Sequence, residues 1–309
     1  MEYRRIGRSG LKISALSLGG RLTRELSEQS PAQLKLVEAA IERGVNHLDI
    51  ADIYGGGEAE RACGALLKRL PRGSLLLSTK CYWPMSEGPN DRGLSRKHII
   101  ESVEGSLRRL GVDHIDLFFC QLFDEETPLE ETLRALEDLI RQGKIHYWGT
   151  SSWSASQLYE AHSHCQRLGA YAPIAEQSIY SLLERGLEHE LLPTLRSLGM
   201  GLIAWSPLAG GVLSGNLKRS ADRSKLDDER RRWLSAWLDE ESSACVAGLA
   251  ELARELEATP SQLALAWGLR RREVSSLMVG VSSEAQLEED LKAIELAGDQ
   301  ELWSRLDAL

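Results

Sequence analysis

With 309 residues, 42% of them apolar, the chain can bury a substantial core. Its formal charge of −9 argues against a nucleic-acid surface, which needs a basic face to neutralise phosphates; the run ERRRW at 229–233 reads as a solvated helix face. The five cysteines form no CxxC pair and no metal-ligand spacing with the seven histidines; no apolar run reaches the ~20 residues of a membrane span, so a cytoplasmic protein without disulfides, metal or membrane partner is expected.

The N-terminal stretch MEYRRIGRSGLKIS lacks the apolar centre of a signal peptide. From there on, short runs of branched apolar residues alternate with longer amphipathic segments. The predicted strands are 15–20, 47–52, 75–80, 115–121, 145–152, 174–180, 201–207 and 275–283. Between them lie helical stretches such as PAQLKLVEAAIER, with Pro31 early in its first turn, and PLEETLRALEDLIRQGK, with Thr127 as a cap and Gly143 as a stop. Eight strands with crossover helices predict an α/β fold, the (β/α)8 TIM barrel, as one domain over residues 1–309. One long departure falls between the seventh and eighth strands, at about 212–259, where two helical patterns replace one. An insertion there suits a lid or cofactor clasp, or an extra surface helix.

Active sites of such barrels are built at the C-terminal ends of the strands. The polar residues predicted to gather there are Asp49 and Tyr54, Lys80, Gln121, Ser151 and Ser152, Gln177, and Ser206 after Trp205. Singly, each has an ordinary structural explanation. Together, an acid, a lysine and a tyrosine have a specific use. Tyrosine, with a reference pKa of about 10, is a poor acid at neutral pH, and a nearby ammonium favours its ionised form. Asp49 can keep a partly buried Lys80 charged, leaving Tyr54 as a general acid that protonates a carbonyl oxygen as hydride reaches carbon.

On these residues the sequence resembles the aldo-keto reductase superfamily. LDIADIYGGGEAERACGALL, LSTKCYW and DEETPLEETLRALEDLIRQGKIHYWGTSSWS carry the likeness. GLSRKHIIESVEGSLRRLGVDHIDLFF, AWSPLAGGVLSG and VGVSSEAQLEEDLKAIE bring it closest to the branch of voltage-gated potassium channel β-subunits and their bacterial relatives. The resemblance implies NADPH-dependent interconversion of carbonyl and alcohol without a metal, and a homo-oligomer, tetramer or octamer. By position it implies Asp49, Tyr54, Lys80 and Gln121 as catalytic. Ser151, Ser152 and Gln177 fall at the nicotinamide carboxamide and Trp205 against its ring. Ser206, Pro207, Leu208 and Gly210 follow the pyrophosphate, and Arg223 the phosphates. Gly280, Ser282, Gln286, Glu289 and Asp290 fall at the adenosine end, and Gly20, Arg21 and Asp49 complete the cofactor set. A serine and an arginine beside a 2′-phosphate favour NADPH over NADH, because a carboxylate there repels the extra charge.

Three departures stand out. Gln121 occupies a position held by histidine in many relatives and asparagine in the channel branch, so it is expected to position substrate without titrating. Ser152 replaces an arginine or asparagine. Arg21, in GGRLTREL, replaces a tryptophan and predicts a more polar substrate pocket. Two other readings remain open at this stage: a cofactor-binding redox-sensing or regulatory subunit with residual catalysis, and a Schiff-base aldolase. The aldolase requires a neutral Lys80, which Asp49 opposes.

Overall fold

The computed structural model describes residues 1–27, 30–215, 234–237 and 239–309, without the side chains of Arg21 and Arg24. Arg223, the run at 229–233 and most of the polar start of the predicted insertion lie outside the described residues.

The described residues form ten strands: β1 Tyr3–Arg5, β2 Lys12–Ser14, β3 Leu16–Leu18, β4 His47–Asp49, β5 Leu76–Cys81, β6 Ile115–Cys120, β7 Ile145–Ser151, β8 Ala175–Ile179, β9 Gly201–Trp205 and β10 Val274–Val279. The last eight close into a barrel in which every neighbouring pair is parallel, confirming the (β/α)8 architecture. Alternation along each strand divides the apolar side chains between two cores. Phe118, Cys120 and Trp148 join the large core under the helices, while Leu117, Phe119, Ala175 and Ile203 fill the barrel interior.

Helix ends follow the local chemistry. Pro31 opens Pro31–Glu42, and Ser154 and Thr259 form capping boxes with Gln157 and Gln262. Thr127 does not cap its helix as expected. Leu129–Arg141 starts after Pro128, and the Thr127 hydroxyl instead donates to Asp124 Oδ2 at 2.7 Å, ordering the loop before it. Among the described residues between β9 and β10 are the helices Glu240–Glu255, inside the expected insertion, and Pro260–Leu269, which begins just past it. Among the described residues no helix is long and apolar enough to cross a membrane.

The β1–β2 hairpin was not legible as strand, and it closes the N-terminal end of the barrel. Ile6 and Ile13 are fully buried in the interior cluster with Leu76, Leu117 and Ile203. Gly7 makes the fit possible: it has φ +55°, a Cβ there would stand 2.2 Å from Gly199 O, and Arg8 N–H donates to that same oxygen at 2.8 Å. Gly7→Ala is therefore expected to lower stability by about 2–4 kcal/mol through strain and overpacking. Gly10→Ala, where a Cβ meets nothing within 4 Å, should stay within about 0.5 kcal/mol of the parent. Urea unfolding midpoints of the two variants check this.

Candidate active site

The strand register assembles the predicted residues at the opposite, C-terminal end. Asp49 pairs with Ser78, Lys80 with Phe119, and Ser151 with Gln177 across neighbouring strands. Inside the barrel, Lys80 Nζ donates to Asp49 Oδ2 at 2.5 Å and to Ile50 O at 2.7 Å. Asp49 Oδ1 accepts from Ser78 Oγ at 2.6 Å and from Gln177 Nε2 at 2.7 Å. Both charged side chains are almost fully buried, so the carboxylate is satisfied by an ammonium, a hydroxyl and an amide in place of water. The amine is committed to the Asp49 carboxylate and the Ile50 carbonyl, which counts against the aldolase reading.

Two members of this network were missed from sequence. Ser78 donates to Asp49, and His47 Nε2 lies 2.9 Å from Ser78 Oγ. The hydroxyl can donate only once, so the imidazole is the donor in the second bond, carrying its proton on Nε2. Burial pushes the His47 pKa down to about 4, fixing the ring as neutral. The available signal was period-two spacing: His47 with Asp49, and Ser78 with Lys80, share faces of adjacent strands.

Tyr54 stands on the turn after β4, half-buried, with the Lys80 ammonium 5.7 Å from its ring centroid. The same ammonium lies 5.9 Å from the Phe119 ring centroid. Three glycines shape the turn, and Gly57 is the one with a visible steric requirement. It has φ +88°, and a Cβ there would fall 2.6 Å from Arg109 Cδ. Arg109 passes this point to donate to Glu60 Oε2 at 2.5 Å, and Glu60 Oε1 accepts from Thr79 Oγ1 at 2.7 Å. The tyrosine-bearing turn is thus clamped to the residue next to Lys80.

Around the mouth the backbone is strained. Ser152, Ser206 and Ala209 have φ of +59°, +53° and +47°, and they follow β7 and β9. Non-glycine residues held in this region cost of order 1–3 kcal/mol each and cluster at binding sites. Ser152 N–H donates to Gln177 O at 2.9 Å, while Trp205 is half-buried with Pro207, Leu208 and Gly210 following it. Gln121, just past β6, is tied through its backbone N–H to Cys81 O at 3.1 Å, and its side-chain Oε1 is buried without a partner among the described residues. Gly20 is exposed at φ +64°, and Arg21 begins the short helix Arg21–Arg24.

The remaining predicted residues lie past β10. Gly280 is exposed, and Ser282 N–H and Oγ both donate to Gln286 Oε1, at 2.9 and 3.0 Å. Glu289 gives its backbone oxygen to Gln262 Nε2 at 3.2 Å. Asp290 is buried with neither carboxyl oxygen paired among the described residues, and burial, then the Glu289 carboxylate, pushes its pKa up to about 7. The structure therefore brings Asp49, Tyr54, Lys80 and Gln177 into one cluster, while the 280–290 residues, after the C-terminal end of β10, have hydrogen bonds of their own.

Comparison with known proteins agrees with this geometry. The family model described as "Aldo/keto reductase family" matches residues 15–309. A protein of Oryza sativa subsp. japonica named as a probable voltage-gated potassium channel subunit beta is 40% identical over 315 aligned positions, covering 96% of this chain and 92% of its own length. A protein of Arabidopsis thaliana with the same name is 38% identical over 315 positions, with coverage of 96% and 92%.

Two stability predictions come from the buried charges. Lys80→Ala leaves Asp49 buried without its counterion and should cost about 3–5 kcal/mol, whereas Asp49→Leu/Lys80→Met should lose much less than the summed single variants. A double-mutant cycle by urea denaturation measures the difference. For Asp290, a pKa raised from 3.8 to about 7 means the folded state holds the proton more tightly. That stabilisation is full below the unfolded pKa and is lost as pH rises through about 7. Asp290→Asn should therefore gain on the parent between about pH 4 and about pH 8, read from unfolding curves at each pH.

Proposed function

The chain belongs to the aldo/keto reductase family, and from that premise we propose that it is an NADPH-dependent reductase of aldehydes or ketones with Tyr54 as proton donor. The observation that carries this reading is the buried Asp49–Lys80 pair beside the Tyr54 ring. Bound NADPH supplies the hydride. The chain's own residues supply position and the proton.

Asp49 fixes the Lys80 ammonium in place, and that positive group stabilises the negative charge that develops on the Tyr54 oxygen as its proton passes to the substrate carbonyl. Little reorganisation is needed, because three hydrogen bonds already fix the carboxylate. Gln121 offers its amide to the substrate and orients the carbonyl without titrating. Its buried, unpartnered oxygen is the kind of group a bound ligand satisfies.

The cofactor set fits the same mouth. Trp205 offers a flat face to the nicotinamide, Ser151, Ser152 and Gln177 offer polar groups to its carboxamide, and the strained Ser206–Gly210 turn follows the pyrophosphate. At the adenosine end Asp290 supplies two unsatisfied oxygens, and a carboxyl titrating near 7 can both donate and accept. The preference for a 2′-phosphate rests on Ser282 and on the resemblance. Arg43, a described cation in contact with this segment, is already bound to Glu284 and Glu288 at 3.0 and 2.8 Å. We place the reaction in the cytoplasm and leave Arg21 and Arg223 as further cofactor contacts.

The plant relatives are named as probable channel β-subunits, which favours one second reading, a cofactor-binding redox-sensing or regulatory subunit with residual catalysis. Tyr54→Phe is expected to lower kcat for carbonyl reduction by about 10²–10⁴-fold while NADPH affinity, read from tryptophan fluorescence, stays unchanged. NADPH binding with no turnover on any of a panel of carbonyls would sink the reductase and favour the subunit; parent-like turnover in Tyr54→Phe would remove the tyrosine from the proton step.

A further inference from the structure

We infer that His114, Asp116 and His146 form a binding site for a late first-row divalent cation such as Zn²⁺, on the outer wall of the barrel at the end opposite the Asp49–Lys80 pair. Their donor atoms lie within 4.8 Å of one another, the one such group of three among the described residues. Strand geometry builds it. Ile115 pairs with Ile145 and Phe118 with Trp148, so alternate positions His114, Asp116 and Phe118 face outward beside His146 and Trp148 on the next strand. The ligands are adjacent only through this register, which is why spacing along the chain gave no metal motif.

The carboxylate is divided between two tasks. Asp116 Oδ2 is held by Arg72 Nη2 at 2.7 Å and by Leu77 N–H at 2.9 Å. Asp116 Oδ1 faces both imidazoles, 3.8 Å from His114 Nε2 and 3.8 Å from His146 Nδ1. Neither distance is a hydrogen bond. Bonds of about 2.0–2.2 Å to a shared cation would span such a separation with a contraction of a few tenths of an ångström. The rings are stacked, with centroids 4.2 Å apart and planes 20° from parallel. Coordination therefore requires one ring to tilt, and the His146 side chain, 46% exposed, has room to do so.

Ligand chemistry selects the ion. Two imidazoles and one carboxylate suit Zn²⁺, Ni²⁺ or Cu²⁺, whereas Mg²⁺ and Ca²⁺ want oxygen ligands. A metal takes each imidazole in its neutral form, so binding here competes with protons. The fixed guanidinium also opposes a second positive charge, which limits affinity. Water completes the coordination shell. A cation here would tie the starts of β6 and β7 together, a stabilising role at the end of the barrel remote from the reaction.

The test uses the full chain, first treated with a chelator, then titrated with ZnCl2 by calorimetry and with CoCl2 by visible absorption. One equivalent of Zn²⁺ should bind, raise Tm, and displace a Co²⁺ spectrum that has imidazole ligands. His114→Ala and His146→Ala should each weaken binding by roughly tenfold or more, with metal-free circular dichroism and Tm like the parent's to show that the fold is kept. Absence of Zn²⁺ binding by the parent chain overturns the inference. So does undiminished binding in a folded His114→Ala/His146→Ala double variant, which would put the ion elsewhere and leave the two rings as a stacked cover on the Asp116–Arg72 pair.

Discussion

A single buried ion pair sets the terms for the rest of the site. Removing an ammonium and a carboxylate from water costs several kcal/mol per ion, and their attraction offsets this only when the remaining hydrogen-bonding positions are also filled. Here they are filled by Ser78, Gln177 and the Ile50 carbonyl. These groups come from β5, β8 and the end of β4, so the pair is satisfied only if those strands keep their register. A one-residue slip of β5 would turn Lys80 toward the helices and bring Thr79 inside. The chemistry and the closure of the barrel are in this sense one constraint.

That constraint explains the division of labour between the two ends. The β1–β2 hairpin seals one end with Ile6 and Ile13 and brings backbone against backbone at Gly7 and Gly199. The other end carries the polar cluster and the left-handed turns. Phe119 occupies the layer between them: it packs in the interior cluster, lies 5.9 Å from the Lys80 ammonium, and leaves room for no Cβ at residue 149. A packed interior beneath the cluster excludes water from one side of the ion pair, which strengthens its field toward the mouth.

Much of this was legible in the sequence, for identifiable reasons. Most of the barrel strands announced themselves because they are buried on both faces and many read as largely apolar runs, IDLFFC and GLIAW above all. Asp49, Tyr54, Lys80 and Gln177 were found because strand ends have a known place in such a barrel. The hairpin stayed hidden because YRR and KIS carry little apolar signal: of its two buried isoleucines Ile6 lies beside the turn and Ile13 stands between two polar residues. Ser78 and His47 stayed hidden because a serine and a histidine inside strands read as satisfied core polar groups. Thr127 looked like a cap from its place before the helix, yet Asp124 competes for its hydroxyl. Gln286 and Ser282 were assigned to one ligand, whereas the fold also bonds them to each other.

The strained turn at Ser152 shows how the two faces of one strand cooperate. Gln177 and Glu176 are consecutive in β8 and so point to opposite sides. Gln177 reaches inward to Asp49 while its backbone oxygen receives Ser152 N–H. Glu176 points outward, accepts from Thr150 and Ser178 hydroxyls at 2.5 and 2.7 Å, and accepts Trp153 N–H at 3.3 Å. Burial nonetheless pushes its pKa up to about 7, so its position carries an electrostatic cost. The left-handed backbone at Ser152 is therefore gripped by both residues, one on each side of the strand, and the gripping carboxyl is itself poorly solvated. The same strand that completes the Asp49 cluster thus fixes the neighbouring turn, and movement at the turn would be felt at the ion pair through Gln177.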